Sequence, residues 1–482
     1  MSDDTVNRLT AATALLEAIV EDRSMLAGID AELRERFLIA AGRVARPTGK
    51  ERRKLARERR RQTKLGQREA NEALLDQTGI RKLRENPIFQ TPRRQRGEPQ
   101  PPPIGVLHDA RTCYVCQSKY TDVHFFYDHM CPACAEFNYA KRSPEAHLHG
   151  RVAIVTGARV KIGYQAAILL LRSGCHVIVL TRFPRDAARR YAAEEDADSW
   201  LDRLEIHGID LRHTPSVEAF CARILATHER LDLIINNACQ TVRRPTGFYD
   251  HMMALETGDV AALTDRERSV LAETHALAVD TEASSAELSQ VKLTAEDHHA
   301  GTALFPEGQF DADLQQVDLR ASNSWRLRMH EVGTVELLEV QLVNAVAPYL
   351  LNARLKPLLA AVPTHDAHIV NVSAMEGQFY RTFKSEKHPH TNMAKAALNM
   401  MTRTAALDYI NAGIHMNSVD TGWVTDEDPA QHAERKRAEH RFHPPLDIVD
   451  GAARIVDPFF DGVNTGTHVW GQFLKNYKPT DW

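Results

Sequence analysis

The sequence predicts an α/β protein built on a doubly wound sheet of seven parallel strands, and three observations predict it. From Gly150 onward, short apolar runs alternate with helical stretches, the pattern of strands covered by helices on both faces. The first run, "RVAIVTG" (151–157), passes straight into "ARVKIGYQAAILLLRSG", a glycine-bearing turn that opens a helix. A turn of that kind leaves backbone N–H groups free at a helix N-terminus, ready for a pyrophosphate. The chain also carries no internal repeat that would indicate a solenoid or a propeller.

Taken in order, residues 1–83 have helical periodicity, with Leu15, Leu16, Ile19 and Val20 on one side, and form a basic extension. Between Arg46 and Arg68 there are eleven Lys/Arg against two Glu, so the net charge of −4 hides an acidic remainder. Residues 84–110 are rich in Pro and Arg and read as an extended linker. A cysteine module at 111–149 follows, and 150–482 forms the α/β domain. Its strands are expected at 151–157, 176–182, 203–211, 231–238, 367–374, 414–422 and 467–472. The 89-residue stretch 242–330 separates the fourth strand from the helix that precedes the fifth. So long an insertion is expected to be a lid or a small subdomain.

Composition narrows the function classes. With 43% hydrophobic and 26% charged residues, the 482-residue chain is globular, and no apolar run approaches the roughly 18–20 residues of a membrane span. The N-terminus opens on Asp3 and Asp4 and carries Glu17 within its apolar part, which argues against a signal or transit peptide. A cytoplasmic protein without a membrane partner is expected. The arginine-rich stretch lacks the interleaved aromatics of nucleic-acid readers. Contact with an acidic partner, or with the protein's own acidic body, stands beside phosphate binding there.

Four of the seven cysteines fall into two knuckles, Cys113-x2-Cys116 and Cys131-x2-Cys134, fourteen residues apart. This spacing presents four thiolates tetrahedrally, the arrangement of a closed, structural zinc site. His124 and His129 lie between the knuckles but are not needed once four sulfurs suffice. Cys175, Cys221 and Cys239 fall within the α/β pattern and are expected to be core residues.

The turn "TGARVKIG" is similar to a TGxxxGxG loop, with Lys161 in place of the middle glycine. "NNAC" (236–239) is similar to an NNAG turn, and "VNVSA", "AKAAL" and "VDTGWV" complete a series in fixed order. Over 150–482 this series resembles the short-chain dehydrogenase/reductase family. The resemblance implies a Rossmann-like nucleotide site made by Thr156, Gly157, Arg159, Lys161, Ile162 and Gly163, with Asp210 and Leu211 near adenine and Asn237, Ala238 and Gly422 along the cofactor. It further implies Asn344, Ser373 and Lys395 as catalytic residues, with Lys395 also holding the ribose. Arg182 stands at the end of the second strand, where an acid would select NAD, and Arg159 lies beside it. Two guanidinium groups suit a 2′-phosphate, so NADP is the expected cofactor.

One departure bears on the chemistry. Four residues before Lys395 the family has a tyrosine as proton donor, and this chain has Thr391, whose aliphatic hydroxyl is a poor general acid. A Y-x-x-x-K does occur upstream, Tyr380 to Lys384, but only seven residues after Ser373. That leaves little room to start a helix, so Tyr380 is placed in a loop over the nicotinamide end. Tyr380, His388 or His390 can serve as a displaced acid; a modified mechanism through Thr391 and loss of redox activity are the alternatives. Arg243 and Arg244, just after the fourth strand, can clamp an acidic substrate or pair with acids of the insertion. The expected protein is a zinc-bearing, homo-oligomeric NADP oxidoreductase acting on a carbonyl or alcohol. Its competitor is a dinucleotide sensor or scaffold of the same fold.

Overall fold

The computed structural model describes residues 3–93, 100–272, 283–298, 304–379, 384–425, 427–429, 431, 432, 435, 439 and 443–482. Tyr380 therefore lies outside the described residues. The chain divides into two compact units, Met1–Ala73 and Leu74–Trp482.

The first unit consists of helices Asp3–Glu21 and Ala31–Ala45 and most of helix Gly49–Leu75. Asp30 caps the second, its carboxylate accepting from the Glu32 and Leu33 N–H groups at 3.0 and 3.2 Å. The arginine-rich run from Lys50 to Arg68 lies within the third. Neither of the first two helices buries a residue, and Leu15, Val20, Leu33 and Ile39 remain exposed.

The second unit opens with an antiparallel pair, β1 (Gly105–Thr112) and β2 (Lys119–Val123), followed by helix Pro132–Lys141. The main sheet contains β3 (Val152–Thr156), β4 (His176–Thr181), β5 (Leu204–Gly208), β6 (Leu233–Asn236), β7 (Ala367–Ser373), β8 (Ile414–Asp420), β9 (Phe473–Lys475) and β10 (Lys478–Thr480). Its order is β10-β9-β8-β7-β6-β3-β4-β5, parallel throughout except for the β9–β10 edge. Seven parallel strands are present as expected. The seventh forms later than its β-rich "THVWGQ" suggests: Gly471 turns at φ +66, and Phe473 is the residue that pairs with Ser418 of β8.

Strand alternation divides the core between the two faces of the sheet. Ala153, Val155, Val177 and Val179 pack under helices Lys161–Arg172, Pro184–Ala192 and Ile448–Thr465. Ile154, Ile178, Ile234 and Ile369 pack under Thr214–Thr227, Ala347–Ala360 and Pro389–Ile410. The helical run Thr334–Ala360 is long and apolar enough to cross a membrane, with a mean hydropathy of 1.2, so the sequence does hold one run of that length. Its Leu351, Leu355 and Leu359 lie in the second core.

The cysteine module joins the sheet through a third apolar cluster, in which Phe126, Tyr127 and Met130 meet Val424, Leu446 and Ile448. Buried charges fix its orientation. Arg142 makes two hydrogen bonds to Asp447, at 2.7 and 2.8 Å, and lies 2.9 Å from Asp450. Arg454 donates to Asn138 at 2.6 Å.

Candidate functional site

Strand order reverses between β3 and β6, and the turn after β3 sits at this switch point, where α/β sheets bind ligands. Gly157 takes φ +65, and a Cβ there would lie 2.8 Å from the Ala238 backbone. Asn237 donates from Nδ2 to the Thr156 and Gly157 carbonyls at 3.0 and 3.1 Å, and the Ala238 N–H donates to Thr156 Oγ1 at 2.9 Å. A Cβ on Gly163 would strike that same Asn237 amide. The two motifs thus lock each other. Helix Lys161–Arg172 starts without a side-chain cap, which leaves its first-turn N–H groups to a ligand.

Lys161 adopts φ +58, the left-handed conformation that a glycine would take without strain. It is half-buried, and Ile162 beside it is partly buried against two cores. Burial opposes the ammonium charge, but the carboxylates of Glu427, Asp313 and Asp311 outweigh it and raise the pKa. Sequence reasoning did not identify these acids as part of the site. They come from the insertion and from the loop after β8, and nothing local in the sequence pairs them with Lys161.

The insertion also closes over the end of β4. Phe248, Tyr249, Met252, Ala286 and Phe305 form a small core with Phe183. Arg182 donates from Nη2 to the Tyr249 hydroxyl at 2.8 Å and lies over the Tyr249 ring. Arg159 is buried and pairs with Asp186 at 2.6 Å. Asp210 is clasped by Arg212 at 2.7 Å, and Leu211 is buried beside it. Burial alone would raise the Asp210 pKa; Arg212 reverses that and holds it low. Arg243 pairs with Asp297 at 2.8 Å and with Glu339 at 3.2 Å, and Arg244 pairs with Asp318. Of the two expectations for these arginines, pairing with acids of the insertion is the arrangement present.

At the carboxyl ends of β6 and β7 the expected catalytic residues converge. Lys395, on helix Pro389–Ile410, donates from Nζ to the Val372 carbonyl at 2.6 Å, beside Ser373. A Cβ on Gly377 would fall 2.8 Å from the Lys395 carbonyl carbon, so the strand-to-helix loop lies hard against this turn. Ser373 Oγ and Thr391 Oγ1 are buried and have no hydrogen-bond partner among the described residues. Asn344 sits in a π-turn, Leu342–Val346, where its Oδ1 accepts from the Gln240 N–H at 2.7 Å and its Nδ2 donates to the Gln240 carbonyl at 3.2 Å.

The other candidate acids are placed differently from one another. His388 takes φ +42 and stacks on Trp325, with ring centroids 4.0 Å apart. His390 is buried next to Thr391, with Nε2 3.4 Å from Glu336. Beyond β8, Gly422 donates its N–H to Asp420 at 3.0 Å, and the Trp423 N–H donates to the Tyr114 hydroxyl at 3.0 Å. Glu336 and Tyr114 were not foreseen from the sequence. Only the placement of Tyr114 between two metal-spaced cysteines hinted that it would stand at a module tip.

The four cysteines of that module gather their sulfurs within 4.8 Å of one another, Cys116 and Cys131 being 3.7 Å apart. Four sulfurs at about 2.3 Å from a tetrahedral ion would be spaced by roughly that amount. Hydrogen bonding from Ser118 pulls the Cys116 thiol down to about 6, while burial pushes Cys113 and Cys134 up. His129 is held by Asp128 at 2.7 Å and stands apart from the sulfurs. Cys175 and Cys221 are buried as expected, but Cys239 is exposed because its turn projects beyond β6.

The sheet order and the turn at its switch point define a dinucleotide-binding α/β protein. A family model described as short chain dehydrogenase matches residues 151–260, and one described as Enoyl-(Acyl carrier protein) reductase matches 255–446. The chain belongs to the short-chain dehydrogenase/reductase family. Among relatives, "Uncharacterized protein R665" of Acanthamoeba polyphaga mimivirus is 30% identical over 381 residues, 76% of this chain and 74% of that one. "Retinol dehydrogenase 12" of Bos taurus is 29% identical over 171 residues, 35% of this chain and 50% of that protein's length. Among solved structures, carbonyl reductase Sniffer of D. melanogaster is 17% identical with a TM-score of 0.42, covering 69% of this chain and 100% of that one.

Proposed function

We propose that this protein is an NADP-dependent oxidoreductase that interconverts a carbonyl and an alcohol held beneath the 242–330 insertion. The observation that carries the reading is a pair of buried hydroxyls near Lys395, Ser373 Oγ and Thr391 Oγ1, that have no hydrogen-bond partner among the described residues. Buried polar atoms are rarely left without partners unless a ligand or water completes them. A dinucleotide held there would supply or accept the hydride. The turn from Thr156 to Gly163 would hold its pyrophosphate, with Asn237, Ala238 and Gly422 alongside, Asp210 and Leu211 at the adenine, and Arg182 and Arg159 supplying charge for a 2′-phosphate. Ser373 orients the substrate oxygen, Lys395 holds the ribose, and Asn344 fixes the Gln240 backbone next to the pocket. The proton comes from the segment 376–390, with Tyr380 the first candidate and His390, in the first turn of helix Pro389–Ile410, the second. The relatives named retinol dehydrogenase are, by that name, enzymes of an alcohol, the same substrate class.

In this reading the cysteine module holds one structural zinc ion, and the chain associates with copies of itself. The test is a screen of aldehydes, ketones and alcohols for change in NADPH absorbance. Turnover that disappears in Lys395→Ala supports the proposal. No turnover, together with protection of the fold against heat by NADPH, favours the second reading, a dinucleotide sensor. That reading draws on Thr391 standing where a phenol is needed and on Lys161 where a glycine is usual.

A further inference from the structure

At the opposite, N-terminal edge of the sheet lies a cluster that the oxidoreductase chemistry does not use. His176 is the first residue of β4, Glu205 the second of β5, and His228 follows helix Thr214–Thr227, which covers that face. One nitrogen of each imidazole and one oxygen of Glu205 lie within 4.8 Å of one another. His176 Nε2 and His228 Nε2 stand 3.6 and 3.8 Å from Glu205 Oε2. These separations are too long for hydrogen bonds, whose upper limit is about 3.2 Å. They lie close to the roughly 3.4 Å that separates N and O ligands placed about 2.1 Å from a tetrahedral ion.

The surrounding hydrogen bonds point the same way. Thr227 gives its only hydroxyl proton to the Arg223 carbonyl at 2.9 Å. Its oxygen, 2.9 Å from His228 Nδ1, can therefore only accept, so Nδ1 carries the proton. In the neutral ring, Nε2 is then left as a bare lone pair 3.8 Å from a carboxylate oxygen, two acceptors that a cation between them would bridge. The other carboxylate oxygen, Oε1, is taken by His207 Nε2 at 2.6 Å. His207 is itself buried against Phe220, so the carboxylate is held with Oε2 turned towards the two histidines. Outer partners of this kind orient the ligands of metal sites. All three ligand residues are partly exposed, which leaves solvent a route to a fourth position.

We propose that His176, Glu205 and His228 bind a divalent transition-metal ion, of which zinc is the probe, at a site separate from the four cysteines. A second histidine cluster, His368, His415 and His468, is the contrasting case: His368 Nε2 and His468 Nδ1 are already hydrogen-bonded at 2.9 Å.

The test is metal content of the full-length chain after equilibration with Zn²⁺ and removal of free ion. One equivalent beyond the Cys113/Cys116/Cys131/Cys134 centre is expected, and it should be lost in His228→Ala and in Glu205→Gln. With Co²⁺, this additional equivalent should add only weak d–d absorption, without the intense sulfur-to-metal bands of a thiolate centre. Thr227→Val, which leaves all ligands in place, should weaken the additional site by about 10–100-fold. Circular dichroism of the metal-free variants, matching that of the parent, excludes misfolding as the cause. The proposal is overturned if the parent takes up no ion beyond the cysteine centre. It is equally overturned if His176→Ala and His228→Ala retain the additional ion while His468→Ala loses it.

Discussion

The proposed chemistry turns on Thr391, which stands where the family has its tyrosine. Its hydroxyl is buried and has no hydrogen-bond partner among the described residues, so it can donate to a bound oxygen, yet an aliphatic alcohol does not ionise near neutral pH. Removing a general acid usually costs about 10²–10⁴ in rate. Tyr380→Phe is therefore expected to lose turnover in that range with cofactor binding intact, while Thr391→Val loses much less; steady-state kinetics on the first active substrate gives the order, and the reverse order would assign the proton to the threonine. Arg182 poses a separate question, since Tyr249 already engages one of its nitrogens. NADP(H) should bind more tightly than NAD(H), and Arg182→Ala should remove the preference, as measured by calorimetry; equal affinities in the parent would refute the charge argument. Ser373, Lys395 and Asn344 were legible in the sequence because each sits in a short local motif. The partners of Arg243, Arg244 and Lys161 were not, because they lie from tens of residues to more than two hundred away and depend on how the insertion folds.

Among the elements, the insertion and the cysteine module are the parts whose attachment the sequence left open. Buried strands announce themselves as apolar runs, which is why six of the seven parallel strands fall where expected. β9 was shifted because "THVWGQ" has strand-forming side chains but contains a left-handed glycine, Gly471, ahead of Gln472. Glu256, near the end of helix Asp250–Thr257, ties the insertion to the start of helix Pro184–Ala192 by accepting from the Asp186 N–H at 2.9 Å. Burial pushes its carboxyl from an ordinary 4.5 to about 7. Between those values the folded chain keeps a proton that the unfolded chain has released, so stability falls as pH rises through the window, by up to roughly 3 kcal/mol. Thermal midpoints measured from pH 4 to pH 8 should show this decline in the parent and a flatter profile in Glu256→Gln. Where the cysteine module meets the sheet domain, Arg142→Ala would leave Asp447 and Asp450 buried without the cation that pairs with both. A loss of about 3–5 kcal/mol in urea unfolding is expected.

For the whole molecule, the cysteine centre is more than an appendage to the sheet. Elemental analysis should find about one zinc in that centre per chain, with that ion absent in Cys131→Ser, and the variant should also melt at lower temperature because the module shares a core with the loop after β8. The knuckle carries Tyr114, whose hydroxyl receives the Trp423 N–H and stands 3.1 Å from where a side chain on Gly422 would begin. With the proposed zinc bound, an ion remote from the proposed reacting atoms would set the position of the Gly422 backbone, which in the proposed reading borders the cofactor. Chelation should be felt first as a poorer grip on the dinucleotide, before any loss of the sheet itself, and Tyr114→Phe should reproduce that loss with the metal still in place. Cellular zinc supply would then act as a throttle on this protein, with a single phenol as the linkage.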